Sequence, residues 1–435
     1  MNNILVLGSG GREHALVWKL RQSNKVKQVY CIPGNGGISD DAIIDSSIKL
    51  SDIQKIYHFI ISKNINLVVI GPEQPLVDGV VDYLISRGIK VFGALQKQAH
   101  LEGSKVFAKE FMLRNNIPTA KFVVAENYAE AKKLVREMFE KFPEGVVIKA
   151  DGLAAGKGVV VCDNIEDANK AIELIMQKKC FGSAGERVVI EQKLSGVELS
   201  VIAFCDGKTI LPLTHSQDHK RVFDEDKGPN TGGMGAFSPV PFVSKKLEEK
   251  IYNQIMVRFL EGVNRENLDY NGVIYFGLMI TDIATNNEQP YVLEFNCRFG
   301  DPETQVVLPL LENDLYEVMV AVVEKRLEEI NLKFYDKTAV CVVLSSKGYP
   351  SEYETGKQIF GFEKIKNYSD VIVFHSGTKK VEDKFYTSGG RVLGVTALGK
   401  DLRDAIDRCY SVVKEISFDG MHLRKDIGQK GLMKF

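Results

Sequence analysis

The chain of 435 residues carries 56 Lys and Arg against 57 Asp and Glu, a formal net charge of −1. At roughly 150 residues per domain that length suggests about three domains, and the balanced charge excludes the basic excess with which a non-specific nucleic-acid binder displaces counterions. The seven cysteines are scattered with no Cys-x-x-Cys pair, so neither a disulfide framework nor a structural zinc site is expected. Met1-Asn2-Asn3-Ile4 enters an apolar run without the features of a signal peptide. No apolar run approaches the roughly 18 residues of a membrane span. The expectation is a cytoplasmic protein with no membrane or nucleic-acid partner, a monomer or weak dimer.

From residue 4 to about residue 103, short β-branched runs at 4–7, 29–32, 67–70 and 90–92 alternate with helical patterns, and Gly or Pro follows each run. That alternation predicts a parallel α/β sheet. A helix is predicted over 105–115, then strand and helix patterns through Val161 and a strand at 188–191. A mixed region closes with a strand at 291–296 and a helix from about Thr304. Beyond about Leu332, strand-like runs at 338–344, 371–376 and 391–396 predict a smaller β-rich unit. The reading is an α/β and α+β multidomain chain: an N-terminal α/β domain over 1–103, a central domain over 104–330 and a C-terminal α+β domain over 331–435.

The first strand runs into Gly8-Ser9-Gly10-Gly11-Arg12-Glu13-His14, a turn whose amides and helix N-terminus suit a phosphate. The dinucleotide fingerprint is incomplete: Glu13 stands at its third glycine, and the second strand ends Cys31-Ile32-Pro33 without a ribose-binding acid. NAD, an unliganded tight turn and a phosphate-bearing substrate are the three readings, the last preferred. Two further loops, Pro33-Gly34-Asn35-Gly36-Gly37 and Gly71-Pro72-Glu73-Gln74-Pro75-Leu76, are expected on the same sheet edge.

No Gly-x-x-x-x-Gly-Lys-[Ser/Thr] occurs. Instead, Val146-Val147-Ile148-Lys149-Ala150-Asp151-Gly152-Leu153-Ala154-Ala155-Gly156-Lys157-Gly158-Val159 ends an apolar strand in a lysine and then a small-residue loop able to lie over phosphates. In Val188-Val189-Ile190-Glu191-Gln192-Lys193-Leu194 an apolar strand breaks into residues whose main chain can meet an adenine edge. Glu198 could accept from ribose hydroxyls or be an exposed loop acid. In Tyr291-Val292-Leu293-Glu294-Phe295-Asn296-Cys297-Arg298, strand alternation puts Glu294, Asn296 and Arg298 on one face and Leu293 and Phe295 in the core. Two oxygen donors there suit magnesium, or manganese, bridging ATP phosphates, while a polar outer strand face is the plain alternative.

Together these residues resemble the ATP-grasp superfamily and, within it, the glycinamide ribonucleotide synthetase family of phosphoribosylamine–glycine ligases. The resemblance spans nearly the whole chain. It rests most on Asp226-Lys227-Gly228-Pro229-Asn230-Thr231-Gly232-Gly233-Met234-Gly235 and Asn296-Cys297-Arg298-Phe299-Gly300-Asp301-Pro302-Glu303-Thr304. It implies an ATP-grasp core of two lobes, the mobile one at about 122–193, and ligation of glycine to 5-phosphoribosylamine at the expense of ATP in purine biosynthesis. It further implies phosphate contacts from Lys105 and Lys149, an adenine hinge at Glu191, Gln192, Lys193 and Leu194, a ribose contact from Glu198 and metal ligation by Glu294 and Asn296. Many members carry another acidic ligand on the preceding strand, where this chain offers only Asp282.

A carboxylate is a poor electrophile, so the chemistry calls for an acyl phosphate. Lys149 and the amides of Gly152, Gly156, Lys157 and Gly158 are expected at the transferring phosphoryl. Arg298 is the candidate grip on a carboxylate, because guanidinium presents a planar fork. In Thr214-His215-Ser216-Gln217-Asp218-His219-Lys220-Arg221, Asp218 is expected near the substrate amine and Lys220 or Arg221 near phosphate, with Gly233 lining the same space. Gly10, Gly11, Arg12 and Glu13, facing Gly71, Pro72 and Glu73, are expected to hold the sugar phosphate. A different ATP-grasp ligase and an ATP-responsive binding protein are the competing classes.

Overall fold

The alternation at the start of the chain builds a five-stranded sheet in the computed structural model, which describes residues 1–154, 158–285, 287–366 and 368–433. Its order is Ile43–Ile44, Val26–Pro33, Asn2–Gly8, Ile65–Ile70 and Val91–Phe92, all parallel. Ile4, Leu5, Val6 and Leu7 are fully buried, as a strand covered on both faces requires. The pair Ile43–Ile44 was not foreseen, since two residues are too short for a period to show. The chain adds strands first to one side of Asn2–Gly8 and later to the other. The loops after Gly8 and Ile70 therefore diverge and open a crevice at the strands' C-terminal edge.

A second body follows. Phe122–Ala125, Val188–Gln192, Val146–Ala150 and Val159–Cys162 form an antiparallel sheet in that order. Helices Tyr128–Lys141 and Ile165–Ile172, N-capped by Asn127 and Asn164, cover it. Val135, Met138, Ile148, Ile172 and Ile190 give it a hydrophobic core of its own.

The facing sheet orders Ile210–Pro212, Val197–Cys205, Gly272–Thr281 and Gln289–Asn296, all antiparallel. Its last strand carries a bulge: Gly277 pairs with Glu294, but Leu278 pairs with Val292. One extra residue shifts the alternation, so Val292 and Phe295 are buried while Leu293 is only half-buried. The expectation that Leu293 points into the core is thus corrected. Glu294 and Asn296, on the same side of the bulge, keep their common face. The helix expected from Thr304 is a single turn, Thr304–Val307, because Pro309 can neither continue the ladder nor leave Leu308 in a comfortable helical conformation. A second helix, Leu315–Val323, starts afresh from the Asp314 cap.

The last large sheet orders Gln217–Asp218, Gly235–Ser238, Thr338–Ser345, Arg391–Gly399 and Val371–His375, backed by helix Leu402–Val413. Its first two strands precede residue 330, so the sheet crosses the boundary expected there and draws Asp218 into the C-terminal layer. The helix Gly11–Leu20 docks on this layer through His14, whose Nδ1 accepts from the His375 amide (2.8 Å). That fixes the tautomer, leaving Nε2 to donate to Asp41 (3.0 Å).

Candidate active site

At the crevice, Glu13 occupies the space between the two diverging loops. Its carboxylate accepts from the Gly10 amide (2.6 Å) and from Arg12 Nε (2.5 Å), and Arg12 Nη1 donates to Phe299 O (3.2 Å). The Gly10 amide, which the phosphate reading wanted free, is therefore spent within the turn, because a carboxylate one turn into the helix caps its own N-terminus. Gly11 and Arg12 are brought beside it. Glu73, just beyond Gly71 and Pro72, lies 3.4 Å from Arg298 Nε.

Arg298 also pairs with Glu102 (3.0 Å), whose second oxygen accepts from the Cys297 amide (2.7 Å). Burial opposes the charge on Arg298, but Glu102 and Glu73 outweigh it and raise its pKa. Burial pushes Glu102 up, with Arg298 opposing. The Arg298 guanidinium, the expected fork for a substrate carboxylate, is held by two protein carboxylates, Glu102 and Glu73.

Asp218 is buried in the last sheet, with Lys220 Nζ 3.3 Å from its Oδ2 and its Oδ1 without a hydrogen-bond partner among the described residues. Burial pushes it up to about 7, Lys220 opposes and Glu303 adds to the rise. Gly233, at φ 108°, passes so close that a Cβ there would sit 2.7 Å from Asp218 Oδ1. Ser200 Oγ bridges Tyr275 OH (2.9 Å) and Glu303 (3.1 Å) on the neighbouring sheet. Lys220 is 3.9 Å from Glu198, linking the amine region to the proposed ribose acid. Of the two cations expected near phosphate, Lys220 is the one beside Asp218, while the Arg221 guanidinium donates to Gly228 O (2.7 Å).

In the cleft between the second body and the facing sheet, Lys105 and Lys149 arrive from different bodies. Lys105 Nζ donates to Gly152 O (3.0 Å) and Lys149 Nζ to Leu293 O (3.0 Å). Burial lowers Lys105, with Glu294 partly offsetting it. The Glu191 side chain points into the protein, which leaves the expected hinge to its main chain. It is buried between Lys149 and Lys109, which, despite its burial, keep the carboxyl below its usual range. Gln192 donates its amide to Lys121 O (2.8 Å), Lys193 Nζ reaches Asp163 (2.6 Å), and half-buried Leu194 follows. Gly158 accepts from the Ala150 amide. The expected contacts Gly156 and Lys157 lie outside the described residues. Asp151 joins the two bodies: it accepts from Ser104 Oγ (2.8 Å), from the Val106 amide (3.1 Å) and from Arg187 (2.5 Å). Beside it, a cavity of about 270 Å³ is lined by Val77, His100, Ser104 and Arg187 among others.

Glu294 is half-buried, and among the described residues no hydrogen bond or ion pair involves its carboxylate. Asn296 donates Nδ2 to Phe295 O (2.7 Å), which leaves Oδ1 available beside it. Two unspent hard oxygens on one strand face fit a magnesium or manganese ion that completes its shell with phosphate and water. Asp282 is exposed at the far end of the hairpin, at φ 58°, and contributes nothing here.

Four residues of this assembly escaped the sequence reading. Lys109 could have been found, since i and i+4 share a helix face with Lys105. Arg391 follows Ser388-Gly389-Gly390, a turn passed over; it donates to Gly232 O (2.6 Å) and Asp301 O (2.8 Å). Glu102 and Glu303 had no local signal, because their partners lie far away in sequence.

The family model for the phosphoribosylglycinamide synthetase N domain matches residues 2–102, that for its ATP-grasp (A) domain 103–304, and that for its C domain 339–430. The phosphoribosylamine–glycine ligase of Caldanaerobacter subterraneus subsp. tengcongensis is 44% identical over 424 residues, covering 98% of this chain and 99% of that protein. The trifunctional purine biosynthetic protein adenosine-3 of Gallus gallus is 47% identical over 433 residues, 99% of this chain but 42% of that protein. The crystal structure of phosphoribosylamine–glycine ligase from Thermotoga maritima superposes with a TM-score of 0.80 at 35% identity, covering 98% of this chain and 100% of that one. With three successive family models, near-complete relatives and this arrangement of lysines, carboxylates and glycine loops, the chain belongs to the phosphoribosylglycinamide synthetase family, built on an ATP-grasp core.

Proposed function

We propose that this chain joins glycine to 5-phosphoribosylamine, converting ATP to ADP and phosphate and releasing glycinamide ribonucleotide for purine biosynthesis in the cytoplasm. The observation that carries this reading is the chain of neighbouring charges that links Lys105 to Arg298 through Glu294, and Arg298 to Asp218 through Glu303. Lys105 and Lys149 supply cations for a polyphosphate, Arg298 a fork for a carboxylate, and buried Asp218 an acceptor for an amine. The division of labour follows an N-terminal sugar-phosphate domain at 1–103, an ATP-grasp domain at 104–330 whose mobile lobe is about 122–193, and a C-terminal domain at 331–435. The enzyme acts as a monomer or weak dimer.

Glycine is held by Arg298 through its carboxylate, one oxygen of which attacks the γ-phosphorus as ADP leaves. The resulting glycyl phosphate is attacked at its carbonyl carbon by the phosphoribosylamine nitrogen, phosphate departs and the amine loses a proton beside Asp218. Lys149 and the amides around Gly152 and Gly158 balance charge on the transferring phosphoryl, work that is electrostatic and positional. Magnesium, or manganese, held by Glu294 and Asn296 would supply further charge neutralisation of the ATP phosphates. The adenine rests on the main chain of 191–194, with Glu198 at the ribose. Gly11, Arg12 and Glu13, with Gly71 to Glu73, hold the phosphoribosyl group: Arg12 suits the phosphate, and the Glu13 carboxylate suits a sugar hydroxyl or the amine.

A coupled ADP-release assay with glycine and freshly made phosphoribosylamine, each omitted in turn, tests the reading. ADP release must require both. Release that ignores glycine, or that accepts another acid equally well, would assign the cleft to a different ligase.

A further inference from the structure

Glu191 faces two lysines. Its carboxylate is 2% exposed and pairs with Lys149 through one oxygen and with Lys109 through the other. Lys109 is itself 2% exposed. It sits one helical turn after Lys105 and also donates to Thr119 Oγ1 (2.7 Å), which donates on to Val292 O (2.7 Å). Its ammonium is thus tied to a carboxylate and a hydroxyl inside the protein. Lys149 stands at the cleft end of its strand, and its other partner is the carbonyl of Leu293, next to Glu294.

One buried carboxylate between two ammonium groups leaves a positive charge over. In a poorly solvated site such an excess is costly unless an anion completes it. The phosphates of ATP are that anion on the reading given above. A carboxylate with a single cationic partner in a low-dielectric site holds it tightly, and one with two partners holds each less exclusively.

We propose that Lys109 is a positioning residue that keeps Glu191 neutralised, so that Lys149 is free to exchange the carboxylate for the ATP phosphates. This rests on Lys149 being a phosphate contact. Lys109 itself touches no substrate. Removing it leaves Glu191 with Lys149 as its remaining ion-pair partner and withdraws Lys149 from the nucleotide.

The proposal makes a signed prediction, because a second substitution should repair the first. In Lys109→Met the kcat/KM for ATP is expected to fall about 30-fold, with the KM for glycine within about 2-fold of wild type. Adding Glu191→Gln to Lys109→Met removes the charge that captures Lys149, and is expected to recover at least about tenfold of the loss. Melting curves and circular dichroism on each protein normalise activity to folded enzyme. A double variant no more active than Lys109→Met, or a Lys109→Met enzyme within about 3-fold of wild type, overturns the proposal. If Lys109→Met alone does not fold, the double variant, in which Lys149 keeps its charge with no carboxylate to hold it back from the phosphates, decides. Activity within about tenfold of wild type supports the positioning role, and loss beyond about 100-fold makes Lys109 a direct contact instead. Two controls separate this from the underlying reading. Wild-type enzyme without glycine-dependent ADP release overturns the assigned reaction, and a fully active Lys149→Met enzyme overturns Lys149 as a phosphate contact.

Discussion

Glu13 and Gly71 are locked together across the crevice of the first sheet: a Cβ on Gly71 would lie 2.1 Å from Glu13 Oε1. Gly8, at φ 131°, is as tightly placed: a Cβ there would lie 2.4 Å from Glu13 Cγ. The residue that spoils the dinucleotide fingerprint thus fills the place where a dinucleotide's backbone approach would need emptiness. Gly71→Ala should overpack this contact at a cost of about 1–3 kcal/mol. Because the displaced group is Glu13, the KM for phosphoribosylamine should rise about tenfold while that for ATP moves less than about 2-fold. Steady-state kinetics with each substrate varied checks this, and equal effects on both would detach the Gly8–Glu13 turn from the sugar phosphate.

Asp218 gives the molecule a pH signature. Burial holds its carboxyl up at about 7 against an ordinary value of 3.8. A carboxyl raised on folding contributes stability while protonated and loses it as pH rises from about 4 through about 7. Asp218→Asn cannot ionise, so its melting temperature relative to wild type should improve between pH 5 and pH 8. An unchanged difference at the two pH values would contradict this. If ionised Asp218 receives the amine proton, wild-type kcat/KM for phosphoribosylamine should rise through about pH 7, and the Asn variant should lack that limb.

Four strands of the parallel sheet were legible because each is an apolar run stopped by Gly or Pro, and the shared face of Glu294 and Asn296 because they alternate with Phe295. The bulge at 292–294 was not, since it depends on how Gly277 and Leu278 register across the hairpin. Nor was the sharing of a sheet between 217–238 and the C-terminal strands, a pairing over a hundred residues apart. The same limit explains the site. Lys149 and Arg298 could be read from local strings, whereas Glu102, Glu303 and Lys109 gain their meaning from partners brought by the fold.

Arg424 should govern the glycine loop from a distance. It is fully buried, forks onto Asp426 (2.8 and 2.7 Å) and donates to Asp226 (2.9 Å) and Arg221 O (3.1 Å). Those contacts pin the start of the segment that carries Gly232 and Gly233 to Arg391 and Asp218. Arg424→Met takes the forked partner from half-buried Asp426, while exposed Asp226 keeps Lys430, and should cost about 2 kcal/mol in urea unfolding. In the folded fraction, kcat/KM for phosphoribosylamine should drop about 5-fold through the loosened loop. Loss of stability without any kinetic change would leave Arg424 with a purely structural role.

Glu294→Gln isolates the metal from the fold. The carboxylate is half-buried and makes no hydrogen bond or ion pair among the described residues, acting on Lys105 and Arg298 only at longer range, so neutralising it should leave the circular dichroism and melting temperature near those of wild type. A hard cation loses its charged ligand, however, and glycine-dependent ADP release should fall more than about 100-fold. Asn296→Ala removes a neutral oxygen only, and should raise the magnesium concentration giving half-maximal rate while leaving the saturated rate within about tenfold. The order matters more than either value. If Asn296→Ala proves the more damaging, or if Glu294→Gln turns over normally at any magnesium concentration, the cation must be held elsewhere in the cleft.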